Sequence, residues 1–330
     1  MSQQQERPLV WMHFTTKEDK TDGIRDSFIE IVQENFDIVW YNDLKKDPKI
    51  GAKVTGALVA FNAKKFLKEQ LSLMPNLKVI ANFGAGYDGL DIDALAKQGI
   101  HVSNTPDVLS DCVADMTIMI MISSARNLKE ALKVIDEGVQ TFDKNFMGVN
   151  VSGATLGIVG FGSIGKSIAK RARGFDMKIL YHSRNKKSAE EEQGAAHYGK
   201  LHDMLPECDF LVLACPLSKE TTNLIAAQEF KLMKKSATIV NIARGPVINH
   251  DALLTALKEK EIRGAALDVT DPEPLPKGHP LLQMEQVLIT PHIGSATSET
   301  RHDMLRLCVK NLKAGLIDKL PLPNLIKPSI

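Results

Sequence analysis

The stretch Thr155-Leu156-Gly157-Ile158-Val159-Gly160-Phe161-Gly162-Ser163-Ile164-Gly165 decides how the rest of the chain is read. An apolar run, Leu156 to Val159, meets three glycines in G-x-G-x-x-G spacing, and a helical pattern from Lys166 to Arg173 follows. That order is strand, tight turn, helix. Gly160 allows the turn, Gly162 lets the backbone approach a pyrophosphate, and Gly165 lets the helix pack closely on the strand. The free N–H groups and positive dipole end of such a helix point at phosphates. The motif in this setting predicts a bound dinucleotide.

Outward from the turn, apolar runs alternate with helical periodicity along the chain. On the C-terminal side, strands are expected at Met177 to His182, Phe210 to Cys215, Thr238 to Ile242, Ala265 to Val269 and Val287 to Thr290. Helices are expected over Gln228 to Lys235 and Asp251 to Glu259, which makes a doubly wound parallel sheet with both mononucleotide halves. On the N-terminal side, Leu9 to Phe14, Asp37 to Tyr41, Ala57 to Phe61, Leu77 to Asn82 and His101 to Ser103 read as strands. Helical spacing over Ile24 to Phe36, Ala63 to Met74 and Ile92 to Gln98 makes this a second α/β unit. Between the two runs a helix almost apolar all round, from Val108 to about Arg126, and then the amphipathic stretch Leu128 to Met147. A last helix, from about Ser298 to Asp318, could return to the first unit.

A length of 330 residues suits two domains, and 44% hydrophobic with 25% charged residues suits a globular chain with large cores. The net charge of +1 gives no global field for nucleic acid, and no basic stripe is interleaved with aromatics. The four cysteines lack metal-ligand spacing and three sit in apolar runs, so neither a zinc site nor a disulfide framework is expected. Met1 to Arg7 is polar, and Met116 to Ile122 is shorter than the roughly 20 residues that span a bilayer. A cytoplasmic protein with no membrane partner is the expectation.

The second strand of the nucleotide unit ends Tyr181-His182-Ser183-Arg184, with Arg184 19 residues after Gly165. NAD-type sites carry an acid near this point, and a carboxylate there repels a 2′-phosphate. Here Ser183 offers a hydroxyl and Arg184 a bidentate guanidinium, with Lys186 or Lys187 adding positive potential. NADPH is therefore the expected cofactor. The alternative is that Arg184 is a solvent-exposed loop residue and the enzyme also takes NADH.

Three late segments carry reactive side chains at the carboxyl ends of strands. They are Asn241-Ile242-Ala243-Arg244-Gly245, Asp268 with Glu273-Pro274, and Pro291-His292-Ile293-Gly294-Ser295. Arginine binds carboxylates, histidine donates a proton near neutral pH, and a glutamate can hold the imidazole and favour its charged form. A further loop, Phe83-Gly84-Ala85-Gly86-Tyr87-Asp88, offers bare backbone N–H groups past a strand and reads equally as an anion loop or a plain turn.

With Gly84 to Asp88, Thr105-Pro106-Asp107-Val108, the glycine turn and the Arg244, Glu273 and His292 segments in place, the chain resembles the D-2-hydroxyacid dehydrogenase family. The run Leu267 to Thr270, Pro272 to Pro276 and His279 to Leu282 brings it nearest to glyoxylate/hydroxypyruvate reductases. The resemblance implies a Rossmann dinucleotide-binding domain (106–298) inserted into a flavodoxin-like substrate domain (1–105 and 299–330), with a dimerisation arm near 123–149 and a homodimer. It implies that Arg244 binds the carboxylate and carbonyl of a small 2-oxo or 2-hydroxy acid. His292 would be the acid/base, paired with Glu273, while backbone amides at Ala85 and Gly86 hold the carboxylate beside Ser295. Gly160, Gly162, Ser163, Ile164 and Gly165 would lie under the pyrophosphate, and Ser183, Arg184 and Lys187 at the 2′-phosphate. Pro216, Ile242, Asp268 and Gly294 would border the nicotinamide side. Within the arm, the tryptophan expected of these reductases is missing, and Phe142 is the candidate apolar wall. The rival readings are an NAD-linked phosphoglycerate-type dehydrogenase and a nucleotide-sensing corepressor of the same fold.

Overall fold

The computed structural model describes residues 7–13, 26–60, 69–138 and 147–329. The chain divides into two compact units, Met1–Leu109 with Thr297–Ile330, and Ser110–Ala296.

The first unit is built on five parallel strands: β1 (Leu9–Met12), β2 (Asp37–Val39), β3 (Val54–Ala60), β4 (Val79–Phe83) and β5 (His101–Ser103). Their order, β2-β1-β3-β4-β5, is the flavodoxin-like doubly wound order. The central strands are buried on both faces, which is why β3 and β4 read as unbroken apolar runs rather than alternating ones. The helix Ser298–Lys313 and the turn after it belong to this sheet. A Cβ on Gly56 of β3 would come 2.7 Å from the Leu316 side chain and 3.2 Å from that of Leu312, so that segment packs closely on the strand at the glycine. The chain then runs beside β5, where Ile326 N–H donates to the Val102 carbonyl at 2.8 Å.

The second unit holds seven parallel strands: β6 (Thr155–Val159), β7 (Lys178–His182), β8 (Ala196–Tyr198), β9 (Phe210–Leu213), β10 (Thr238–Asn241), β11 (Gly264–Leu267) and β12 (Val287–Ile289). Their order, β12-β11-β10-β9-β6-β7-β8, places β6 and β9 at the centre, where the direction of winding reverses. Ligands bind at that switch point in open α/β sheets. The helix Ser110–Ala125 packs with the helix Ser163–Ala172 on this sheet. Arg171 ties the two by bonding Asp111 at 3.0 Å and also Asp115. Arg263 caps the far end of the first of these helices, donating to the carbonyls of Ser124 and Ala125 at 3.1 Å each. A cation there meets the negative end of the helix dipole. The helix Leu128–Asp136 that follows buries none of its residues, and Leu128, Leu132 and Ile135 are 43%, 57% and 59% exposed along one face.

Among the local differences, one strand ends early and one strand was not expected. The second strand stops at Val39, because Trp40 is the N-cap of a helix that starts at Tyr41. The edge strand β8 carries no apolar run for a pattern to find. The expected helix over Ala63 to Met74 is seen only in its final turn, at 69–71; residues 61–68 lie outside the described residues. Among the described residues no helix is long and apolar enough to cross a membrane. No group of three or more His, Cys, Asp or Glu is placed to hold a metal among them either.

Candidate active site

The glycine turn is shaped by three different spatial demands. Gly160 has φ +95°, and a Cβ on it would lie 2.7 Å from the backbone of Ala214 and Cys215. A Cβ on Gly165 would lie 2.2 Å from the Gly160 carbonyl oxygen. Around Gly162, by contrast, no protein atom would come within 4 Å. The first and third glycines are thus required by the protein itself, while the second faces room that the protein does not fill. The helix Ser163–Ala172 begins there with Gly162 as N-cap, no side-chain cap and no acid in its first turn. Its positive end is left uncompensated by its own residues, which suits a pyrophosphate. Gly162, Ser163 and Ile164 line that end, and the residues present fit a dinucleotide.

Phe161, inside the turn, stacks on Tyr181 at the end of β7 with ring centroids 4.1 Å apart. The Tyr181 hydroxyl donates to Glu192 Oε1 at 2.7 Å and accepts from the Lys187 backbone N–H at 2.9 Å. Burial, with Glu192 adding to it, pushes this phenol up to about 12, so it stays a donor. The loop from Ser183 to Lys187 is thereby held at both ends. Ser183 Oγ donates within the loop to the Asn185 carbonyl at 2.7 Å, and its own carbonyl lies 3.2 Å from His197 Nε2. Arg184 is exposed. Its charge is among those holding the Glu220 carboxyl below the usual carboxylate range, after the hydrogen bond from Ser218. The Phe161–Tyr181 stack went unread in the sequence, since an aromatic between two glycines gives no periodic signal.

Arg244, Asp268 and His292 follow three adjacent strands, β10, β11 and β12, whose last residues are in register as Asn241, Leu267 and Ile289. Asn241 is buried and folds the first of these loops: its Nδ2 donates to the Arg244 carbonyl at 2.9 Å and its Oδ1 accepts from Ala243 N–H at 3.0 Å. A Cβ on Gly245 would lie 2.0 Å from the Thr270 carbonyl oxygen, so the loops after β10 and β11 touch backbone to backbone. That contact brings Arg244 beside the loop that carries Glu273.

His292 Nδ1 lies 2.6 Å from Glu273 Oε1, with the two side chains 25% and 30% exposed. Partial burial alone would raise the Glu273 carboxyl, but the bond and charge of His292, the Thr270 N–H and the charge of Arg244 hold it below its ordinary value. The carboxylate is ionised at neutral pH. His292 itself has φ +55°, a left-handed conformation that non-glycine residues adopt at a cost. Its N–H donates to the carbonyls of Asp268 at 2.9 Å and Thr290 at 3.0 Å. Asp268 is 3% exposed, and both its oxygens are spent on this loop. Oδ1 accepts from Thr290 Oγ1 at 2.7 Å and Ile293 N–H at 2.9 Å, and Oδ2 from Gly294 N–H at 2.8 Å. Asp268 therefore braces the turn that presents His292, a role the sequence did not disclose. Ile242 is buried, Ser295 is half-buried, and Pro216 is exposed just past β9.

Ala85 and Gly86 belong to the first unit, in the loop after β4. The Ala85 carbonyl accepts from Asn104 Nδ2 at 2.7 Å, and those of Gly84 and Gly86 from Asn82 Nδ2 at 3.0 Å each. Of the remaining histidines, His202 has an acidic partner that the sequence did not suggest: Glu229, at 2.8 Å and far away in the chain.

A family model described as D-isomer specific 2-hydroxyacid dehydrogenase, NAD binding domain, matches residues 118–294. The glyoxylate reductase of Pyrococcus horikoshii is 40% identical over 320 residues, covering 94% of this chain and 95% of its own. The glyoxylate/hydroxypyruvate reductase B of an Enterobacter species is 44% identical over 245 residues, covering 73% and 76%. Among solved structures, an NADPH-dependent glyoxylate/hydroxypyruvate reductase from Sinorhizobium meliloti, in complex with NADP and malonate, aligns with a TM-score of 0.82. It shares 29% identity over 98% of this chain and 100% of its own. The chain belongs to the D-isomer specific 2-hydroxyacid dehydrogenase family and is an NAD(P)-dependent oxidoreductase.

Proposed function

We propose that this enzyme reduces glyoxylate and hydroxypyruvate to glycolate and D-glycerate, with NADPH preferred over NADH. The observation that carries the reading is the 2.6 Å His292–Glu273 pair beside Arg244 at the carboxyl ends of β10 to β12. When bound, the reduced nicotinamide supplies a hydride. His292 is the acid: Glu273 holds Nδ1, so Nε2 hands the proton to the substrate oxygen as that oxygen gains charge. Arg244 binds the substrate carboxylate and carbonyl and stabilises the developing alkoxide. Backbone amides at Ala85 and Gly86, with Ser295, hold the carboxylate. Arg184, with Ser183 and Lys187, takes the 2′-phosphate, where its exposure leaves the guanidinium open to a ligand. Pro216, Ile242, Asp268 and Gly294 border the nicotinamide side, Asp268 by keeping the His292 turn in place.

The names of the relatives support the substrate class, and the Sinorhizobium meliloti enzyme is NADPH-dependent by its description. The protein acts as a homodimer through the arm near 123–149, whose apolar face at Leu128, Leu132 and Ile135 is exposed in the single chain. Phe142, the candidate wall in that arm, lies outside the described residues. The purified protein, mixed with glyoxylate or hydroxypyruvate, should oxidise NADPH rapidly and NADH slowly, followed by nicotinamide absorbance. Equal rates with both cofactors would overturn the NADPH preference. The absence of turnover with either acid would overturn the substrate class.

A further inference from the structure

We infer that Asn82 and Asn104 are positioning residues that fold the Gly84–Gly86 loop into a carboxylate nest. The inference rests on the proposed 2-oxo acid reduction for what the nest is used for, but the nest itself is argued from the loop alone.

The Gly84 carbonyl accepts from Asn82 Nδ2 at 3.0 Å and from Thr105 N–H at 3.1 Å. The Ala85 carbonyl accepts from Asn104 Nδ2 at 2.7 Å, and the Gly86 carbonyl from Asn82 Nδ2 at 3.0 Å. Three successive carbonyls are thus occupied by donors of the protein. Asn82 faces two acceptors at once, which fixes its amide with the NH2 end toward the loop. The peptides here are trans, since the cis bonds among the described residues are Asp271-Pro272 and Glu273-Pro274. In a planar trans peptide the N–H points opposite to the preceding C=O. Tying off the carbonyls of Gly84 and Gly86 therefore turns the N–H groups of Ala85 and Tyr87 away from Asn82, and tying off that of Ala85 turns the Gly86 N–H away from Asn104. Successive N–H groups turned to one side form an anion-binding concavity.

The two asparagines also explain why this loop needs neither a helix dipole nor a basic side chain of its own. Asn82 is 4% exposed and sits on β4, so it moves with the sheet rather than with the loop. Asn104 arrives from the chain just past β5, the neighbouring strand. The loop is held from two strands, so its N–H groups are set before a ligand arrives, and little ordering cost is left to binding. No acidic side chain is needed in the clamp, and an acid would repel the ligand.

The test is oxalate binding to the full-length protein saturated with NADP+, compared for wild type, Asn82→Leu and Asn104→Ala. Neither change introduces a charge, and leucine keeps the branched shape of asparagine. Each variant is expected to bind oxalate about tenfold more weakly, the order of one charge-assisted hydrogen bond. Its NADP+ affinity should be unchanged, and in turnover KM for the oxo acid should rise more than kcat falls. A role in folding alone would lower Tm and leave the oxalate affinity of the folded protein at the wild-type value, which overturns the inference. Wild-type protein that binds no oxalate overturns it as well. If Asn82→Leu does not fold, Asn104→Ala decides, because Asn104 is only half-buried. Asparagine-dependent oxalate binding in a protein that does not reduce glyoxylate would keep the nest and sink the proposed substrate class.

Discussion

Two glycine loops follow parallel strands in this chain, one in each unit, and they reach an anion-binding shape by different means. In Gly160–Gly165 the backbone is forced: a Cβ on two of the glycines would lie 2.7 and 2.2 Å from other backbone, and a ten-residue helix supplies the positive end. In Gly84–Gly86 little is forced, since a Cβ on Gly84 would meet nothing closer than 3.6 Å. There the shape is imposed by the side-chain amides of Asn82 and Asn104. The first loop is written in the glycines themselves. The second is written in residues that flank it and look unremarkable in sequence.

Substitutions inside the first loop should separate steric demand from ligand contact. Gly165→Ala puts a methyl on the Gly160 carbonyl and is expected to destabilise the protein by about 3 kcal/mol or more, lowering Tm by several degrees or preventing folding. Gly162→Ala meets no protein atom and should leave the ligand-free Tm within about 2 °C. It should nevertheless weaken nucleotide binding by about 10- to 100-fold, because the methyl takes the space and the contacts of the pyrophosphate. Equal effects of the two changes on Tm would contradict the division of labour among the glycines.

The loop after β7 is the next test. Arg184→Ala should raise KM for NADPH about tenfold and leave KM for NADH where it is, since only one cofactor carries the 2′-phosphate. Parallel changes with both cofactors would mean that Arg184 does not read that phosphate.

The smallest expected effect is a displacement in pH. The Glu273 carboxyl lies below its ordinary value despite partial burial, chiefly through His292, whose Nδ1 is 2.6 Å away. In Glu273→Gln the carboxylate facing that nitrogen is lost, and the pH range of reduction should move toward lower pH. An unmoved profile would remove Glu273 from the mechanism. The same lowering has a stability sign. A depressed carboxyl contributes stability above its unfolded value of 4.5, and the contribution is lost as the pH falls through the folded value. The Gln variant should accordingly show less acid-dependent loss of stability than wild type.

How much of this was legible beforehand follows from where the information sits. Strands buried on both faces, such as Val54–Ala60 and Phe210–Leu213, announce themselves as apolar runs. So does the G-x-G-x-x-G turn, because sterics leave few alternatives to glycine. The short edge strand Ala196–Tyr198 was not legible, since its burial is partial and its pairing depends on β7. Arg244, Glu273 and His292 stood out as residue types at strand ends. What fixes them did not: the backbone crossing at Gly245, the left-handed turn at His292 and the spent carboxylate of Asp268 are contacts between segments far apart in the chain. Asp268 in particular reads in sequence like a ligand-facing acid, and only its three hydrogen bonds show that both oxygens are occupied.

The claim on which the account depends is that His292 delivers the proton. Turnover of glyoxylate with NADPH by His292→Ala, compared with wild type at equal nucleotide saturation, measures it directly. In the variant kcat should fall by on the order of 10² to 10⁴ while NADPH still binds. A folded His292→Ala enzyme that turns over near the wild-type rate would contradict it.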